Sequence, residues 1–248
     1  MNAAFRIAAG LVLIVVIAIG LHVSDVDADG ASPSLANKAG PAVLLIGDSY
    51  TEGPTTPDLS YGCLMATELE WECNVAAQPG TGYVNGGPGH RIQIGELTVP
   101  STSLVERLPR LRELHRADVV ILDAGRNDVQ FDMTEVMRAF SETLMQVIRT
   151  WPNSRVVVIA PWFVNEPVIR PPGLAGRTVG DEFRLLLRSS PDFAAVDLID
   201  PGALGWFVGT DVSLYVSDDG IHPNAEGVTR IADLLTAALV SEGVASPS

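Results

Sequence analysis

Apolar strands alternating with amphipathic helices predict an α/β protein, a three-layer α/β/α sandwich around a parallel sheet. Two observations carry that expectation. Residues 43–46, 119–122 and 156–159 are unbroken runs of branched aliphatic side chains, as strands covered on both faces require. Between them lie segments with apolar residues at helical spacing, such as Leu104, Leu108, Leu111 and Leu114, or Val136, Phe140, Leu144 and Ile148. A third observation bears on function. The first two runs stop at polar, glycine-bearing turns, at the strand ends where open α/β sheets build their sites.

Taken in order, the domain opens with the strand at 43–46, which ends in Gly47-Asp48-Ser49. A glycine- and proline-rich turn at 51–57 leads into a helix over 61–70 and a second strand over 71–77. A glycine-rich loop follows, Gln78-Pro79-Gly80-Thr81-Gly82-Tyr83 and then Gly86-Gly87-Pro88-Gly89. It matches neither a phosphate loop nor a dinucleotide fingerprint, so its glycines serve close backbone approach to a ligand. A helix over 104–116 leads to the strand at 119–122 and the turn Gly125-Arg126-Asn127-Asp128. A long helix follows over 134–150, with Thr134 as its N-cap, and then the strand at 156–159. The irregular stretch 161–177 exceeds an ordinary connection and is expected to form a lid or substrate wall. A helix at 183–188, a fifth strand at 194–198 and a closing helix at 225–240 complete the domain.

Length, charge and cysteines bound the setting. The chain has 248 residues, enough for one domain with appendages. Its net charge of -14 comes from scattered acidic residues with no Lys/Arg cluster, which excludes nucleic acid as a partner. Arg6 precedes residues 7–21, all apolar or glycine, an export signal whose length leaves a cleaved leader and a membrane tether through 7–23 both open. The organisation expected is an export signal or anchor at 1–23, a flexible linker at 24–40, the domain at 41–242 and a tail at 243–248. The protein is expected outside the cytoplasm, where cysteines can pair. Cys63 is placed at the start of a helix and Cys73 at the start of the next strand, roughly 12 Å apart along a straight helix, so two buried thiols are expected rather than a bridge.

Just before the closing helix stands Asp219-Gly220-Ile221-His222-Pro223-Asn224. An aspartate three residues before a histidine, with glycine between, lets one loop bring the carboxylate to the ring. That contact fixes the tautomer and leaves the other ring nitrogen to take a proton from a serine. A serine hydroxyl is a poor nucleophile until such a base engages it, and Ser49 stands at a strand end. The other histidines, His22, His90 and His115, fall in the export segment, a glycine loop and a helix. No His/Cys/Asp cluster has metal-ligand spacing, so neither a metal nor an organic cofactor is expected.

Together, Gly47-Asp48-Ser49, the glycine of Pro79-Gly80-Thr81-Gly82, Gly125-Arg126-Asn127-Asp128 and Asp219-Gly220-Ile221-His222 resemble the four blocks of the SGNH (GDSL-type) hydrolase superfamily. They occur in the family's order and span essentially the whole domain. The resemblance implies a flavodoxin-like sheet of five parallel strands ordered 2-1-3-4-5. It implies Ser49 as nucleophile, His222 as general base and then acid, and Asp219 as the residue that orients His222. An oxyanion hole would combine the backbone N–H of Ser49, that of Gly80 (with Gly82 the competing position) and the side-chain amide of Asn127. Pro79 departs from the family's usual small residue. Asp48 and Asp128 are read as structural, bonding loop N–H groups. Arg126 is expected to face the cleft and shape substrate choice, with Tyr83, Trp162 and Phe163 as pocket walls.

The function expected is an exported serine esterase acting on a small acyl ester or acylated glycan through an acyl-enzyme. Two rivals remain: acyl transfer to a glycan hydroxyl on the same fold, and a non-catalytic glycan-binding module.

Overall fold

The alternation of strands and helices is realised in a computed structural model that describes residues 40–53, 59–86, 91–94, 97–100, 102–171 and 174–246. The expected export segment at 1–23 and nearly all of the linker at 24–40 lie outside these residues, and so does the end of the tail. In chain order the elements are β1 (Ala42–Gly47), α1 (Ser49–Glu52), α2 (Tyr61–Glu68), β2 (Glu72–Ala77), β3 (Arg91–Ile94), β4 (Leu97–Pro100), α3 (Leu104–Leu114), β5 (Val119–Asp123), α4 (Met133–Thr150), β6 (Arg155–Ile159), α5 (Val179–Ser189), β7 (Val196–Ile199) and α6 (Ala225–Ser241).

Five strands pair in parallel in the order β2-β1-β5-β6-β7, which is the 2-1-3-4-5 order expected. Period-two alternation sends successive side chains to opposite faces. Val43 and Leu45 of β1, with Val119 and Ile121 of β5, pack into the core shared with α2 and α6. Leu44 and Ile46, with Val120 and Leu122, pack into the core shared with α3, α4 and α5. Four consecutive side chains of β1, 43–46, are fully buried, which is why that run carries no polar residue.

Helix starts are set by caps rather than by the first apolar residue. The Asp132 carboxylate accepts the Thr134 N–H at 2.9 Å, so α4 begins at Met133 and Asp132, not Thr134, is its cap. Thr178 and Asp181 form a reciprocal capping box that starts α5 at Val179, four residues before the expected Phe183. An antiparallel hairpin was not anticipated: β3 and β4 pair from Arg91↔Pro100 to Ile94↔Leu97, after the glycine-rich loop and in a stretch for which no element was expected. The alternation of Ile92, Ile94, Leu97 and Val99 around Gly95-Glu96 is the signal for it.

The expectation of two free thiols is overturned. Cys63 and Cys73 form a disulfide with Cα atoms 5.3 Å apart. The straight-helix estimate ignored a chain reversal. The Trp71 N–H reaches back to the Ala66 carbonyl at 2.7 Å and Glu70 takes a positive φ of 57°, so β2 runs back alongside α2 and returns Cys73 to its first turn. The bridge closes a loop with a sequence separation of 10. Loop entropy makes that worth about 2–3 kcal/mol. Replacing both cysteines by alanine should lower the Tm by about 5–10 °C in calorimetry, as should reduction of the native protein.

Candidate active site

The turn after β1 is shaped by Asp48, which is buried. Its carboxylate accepts the Tyr50 N–H at 3.0 Å and so caps α1, making Ser49 the first residue of that single helical turn. Across the domain, the loop between β7 and α6 delivers His222. Its Nε2 lies 2.8 Å from Ser49 Oγ, and its Nδ1 lies 2.6 Å from Asp219 Oδ2. The other carboxylate oxygen of Asp219 accepts the backbone N–H groups of Ile221 at 2.9 Å and His222 at 3.0 Å. These bonds, the His222 ring first, pull the Asp219 pKa down to about 2. An ionised Asp219 on Nδ1 places the ring proton there and leaves Nε2 to accept from the serine hydroxyl. The His222 and Asp219 side chains are 40% and 47% exposed, so the pair stands open to solvent.

The histidine loop is tied down at several points. The Tyr50 hydroxyl donates to the Ile221 carbonyl at 2.6 Å and accepts the Val164 N–H at 3.4 Å. Asn165 Nδ2 donates to the Gly220 carbonyl at 3.0 Å, and the Ser217 N–H to the His222 carbonyl at 2.8 Å. Asn224 then caps α6 by accepting the Gly227 N–H at 2.9 Å. The described part of segment 161–177 is therefore a wall bonded to the histidine loop, with Trp162 and Val164 inside the core.

Three residues expected to line the cleft do not. Arg126 is 3% exposed and its guanidinium lies between two carboxylates. It bonds Asp123 at 2.6 and 2.8 Å and Asp48 at 3.1 Å, and sits 4.4 Å from the centre of the Tyr50 ring. The reason is register: Gly47 pairs with Asp123, so the ends of β1 and β5 bring two acidic residues together, and a cation must fill the space between them. Thr51 and Tyr61 donate their hydroxyls to the same Asp123 carboxylate. Burial pushes Asp48 up to about 6 against the opposing charge of Arg126. Tyr83 is buried against Phe140 and Phe183, and Trp162 against Tyr50, Trp206 and Phe207, so both are core residues. Phe163 is only partly buried and packs edge-on to Tyr50.

The candidate oxyanion donors surround the same turn. Ser49 N–H belongs to the first residue of a helix and has no intrahelical acceptor. Asn127 Nδ2 donates to the Thr81 carbonyl at 2.9 Å and, more loosely, to Asp48 Oδ2 at 3.4 Å. Gly80 takes a positive φ of 72°, and among the described residues its N–H has no partner. Gly82 differs: its N–H donates to the Asn85 carbonyl at 3.0 Å, and a Cβ there would lie 2.3 Å from the Asp128 carboxylate. That carboxylate accepts the N–H groups of Tyr83, Val84 and Asn85 at 2.6, 3.2 and 2.8 Å, the structural task expected of it. Arg107, which the sequence did not single out, joins the loop to the sheet by donating to the carbonyls of Gly47 and Ala76 and to the Thr81 hydroxyl.

A cavity of about 310 Å³ opens beside the serine, lined by Ser49, Tyr50, Glu52, Gly53, Ser217, His222 and Pro223. A larger groove of about 640 Å³ lies at the β7 edge beside Arg184, Phe193 and Val196 and contains none of these groups. Among the described residues, no three His, Cys, Asp or Glu side chains gather as a metal-binding set.

Comparison with known proteins follows the same residues. Among solved structures, the chain is similar to a carbohydrate acetylesterase from Sinorhizobium meliloti (TM-score 0.56, 20% identity, covering 82% of this chain and 99% of that one). It is also similar to a family two carbohydrate esterase from Clostridium thermocellum (TM-score 0.60, 18% identity, 82% and 64%) and to an aryl esterase from M. smegmatis (TM-score 0.53, 20% identity, 82% and 99%). At these identities the likeness is one of fold. No curated protein is significantly similar to the chain. The model of the GDSL-like lipase/acylhydrolase family matches residues 45–230, which reach from β1 into α6 and include every group just described around Ser49 and His222. The chain belongs to that family and is an ester-hydrolysing enzyme of the SGNH type.

Proposed function

We propose that the protein is an exported serine esterase that hydrolyses short-chain acyl esters through an acyl-enzyme, with Ser49, His222 and Asp219 as its triad. The observation that carries this reading is the continuous chain of contacts from Asp219 to His222 at 2.6 Å and from His222 to Ser49 at 2.8 Å. In the first half-reaction His222 Nε2 takes the Ser49 proton as Oγ attacks the carbonyl carbon. Collapse of the tetrahedral intermediate breaks the carbon–oxygen bond to the alcohol, which leaves with the proton from His222. Water then enters, deprotonated by the same nitrogen, and the acid is released from Ser49. Asp219 stays ionised throughout and stabilises the imidazolium.

The oxyanion would be received by the N–H groups of Ser49 and Gly80 and by the Asn127 amide. Asn127 holds one N–H on the Thr81 carbonyl, and the second, whose contact with Asp48 is long at 3.4 Å, is the one left for the developing charge. Gly80 is preferred to Gly82 because the Gly82 N–H already has an acceptor. A short acyl group is favoured by the carbohydrate acetylesterase among the similar folds. The disulfide and the apolar run at 7–21 support export. The carbohydrate esterases among similar folds make acetylated sugars the first natural substrates to try.

Each part of this reading has an expected outcome. The domain without its leader should hydrolyse p-nitrophenyl acetate faster than the palmitate. Ser49→Ala should lower that rate about 10³-fold or more and abolish labelling by a fluorophosphonate; no turnover and no labelling of the native protein would sink the reading. Asn127→Ala should lower kcat about 10²-fold with little change in KM, read from steady-state kinetics. Asp219→Asn should lower kcat about 10⁴-fold at pH 7. Because folding lowers the Asp219 pKa from 3.8 to about 2, its contribution to stability is full above about pH 4 and is lost as pH falls through 2. The Tm difference between native and Asp219→Asn proteins should therefore hold from pH 7 to 4 and vanish towards pH 2.

A further inference from the structure

One side chain in the cavity has no task in the mechanism. Glu52 closes the single turn of α1, three residues after Ser49, and that spacing places both side chains on one face. Both line the cavity that also holds His222. Among the described residues, the Glu52 carboxylate has neither a hydrogen-bond donor nor an ion-pair partner. It is half-buried, and burial raises its pKa. A carboxylate partly removed from water with no donor to replace it is held at a cost that a ligand donor would relieve. Among the described residues no lysine or arginine lines the cavity, while Asp219 bonds the His222 ring that does.

The direction of the reaction says which part of an ester lies there. The leaving oxygen must receive its proton from His222 Nε2, so the alcohol portion departs on the histidine side of Ser49. The cavity includes His222 and Pro223 but neither Gly80 nor Asn127, the groups assigned to the opposite, oxyanion side. The alcohol therefore passes Glu52.

We propose that Glu52 is a specificity-determining residue that accepts a positively polarised group of the leaving alcohol, a hydroxyl O–H or an ammonium close to the ester oxygen, and disfavours alcohols bearing an anion. The assignment rests on the serine esterase reading above and adds to it the chemistry of the alcohol.

The test compares four acetate esters on the native protein, Glu52→Gln and Glu52→Ala. These are 2-hydroxyethyl acetate, acetylcholine, propyl acetate as the shape match without a donor or charge, and acetoxyacetate as the anion. Active sites are counted with a fluorophosphonate, so misfolded protein drops out, and Glu52→Gln keeps the shape of the side chain. The readout is the ratio of kcat/KM for each ester to that for propyl acetate, because the intrinsic reactivity of an ester cancels between variants. Glu52→Ala should lower the ratio for 2-hydroxyethyl acetate or for acetylcholine about tenfold and raise that for acetoxyacetate. A fall in both Glu52→Gln and Glu52→Ala confined to acetylcholine identifies a cationic alcohol. A fall for 2-hydroxyethyl acetate in Glu52→Ala, with the preference kept in Glu52→Gln, identifies a neutral polyol. Ratios that stay at native values in Glu52→Ala overturn the role of Glu52 while leaving the esterase intact. A native protein that neither turns over any ester nor takes the fluorophosphonate overturns the esterase reading and this assignment with it.

Discussion

The site is built on one buried charge contact, the Arg126 guanidinium between the carboxylates of Asp123 and Asp48. Parallel pairing of β1 with β5 forces two acidic side chains together at the strand ends, and only a cation with a planar fork can satisfy both. Taking one member out of such a buried set costs about 3–5 kcal/mol, because the charge left behind has no water to turn to. The contact reaches the chemistry in two ways. Asp48, held by Arg126, caps the turn that presents Ser49. The Tyr50 ring, under the same guanidinium, carries the hydroxyl that grips the carbonyl preceding His222. Ser49 and His222, the nucleophile and base proposed above, are thus referenced to one fixed point at the carboxyl ends of β1 and β5.

Around that point the loops are held by backbone groups more than by side-chain pairs. Asp128 gathers three successive N–H groups of the glycine loop, and Arg107 collects the carbonyls at the ends of β1 and β2. Asp128 and Arg107, which look idle in the sequence, thus satisfy backbone atoms that burial would otherwise strand. The open face of the His222–Asp219 pair contrasts with this dense underside, as a site that must admit water and release an alcohol requires.

What the sequence made legible follows from periodicity and spacing. Runs such as 43–46 and 119–122 read as strands covered on both faces, while the order of the sheet came from the family resemblance. The three-residue interval between Asp219 and His222 was enough to put a carboxylate on the ring. Arg126 was misread because a residue in a turn gives no sign of which way its side chain folds; the sign lay in Asp123, a charged residue ending an otherwise apolar strand. Tyr83 and Trp162 were misread because an aromatic residue after a strand looks the same whether it walls a cleft or fills a core. The disulfide was missed by treating α2 as a straight path, when the reversal at Glu70 brings its first turn back to β2. Glu52 passed unnoticed because its meaning depends on the absence of a partner, which no local pattern encodes.

The tie between Tyr50 and Ile221 joins residues 171 positions apart. During synthesis Ser49 emerges long before its proposed base exists, and the loop carrying His222 is the penultimate piece of the domain to be made. A nascent or unfolded chain therefore carries an ordinary, unreactive hydroxyl. In the proposed mechanism reactivity is a property that only the finished tertiary structure confers, so a chain exported unfolded, as proposed, would arrive chemically silent and become an acyl acceptor only where it folds.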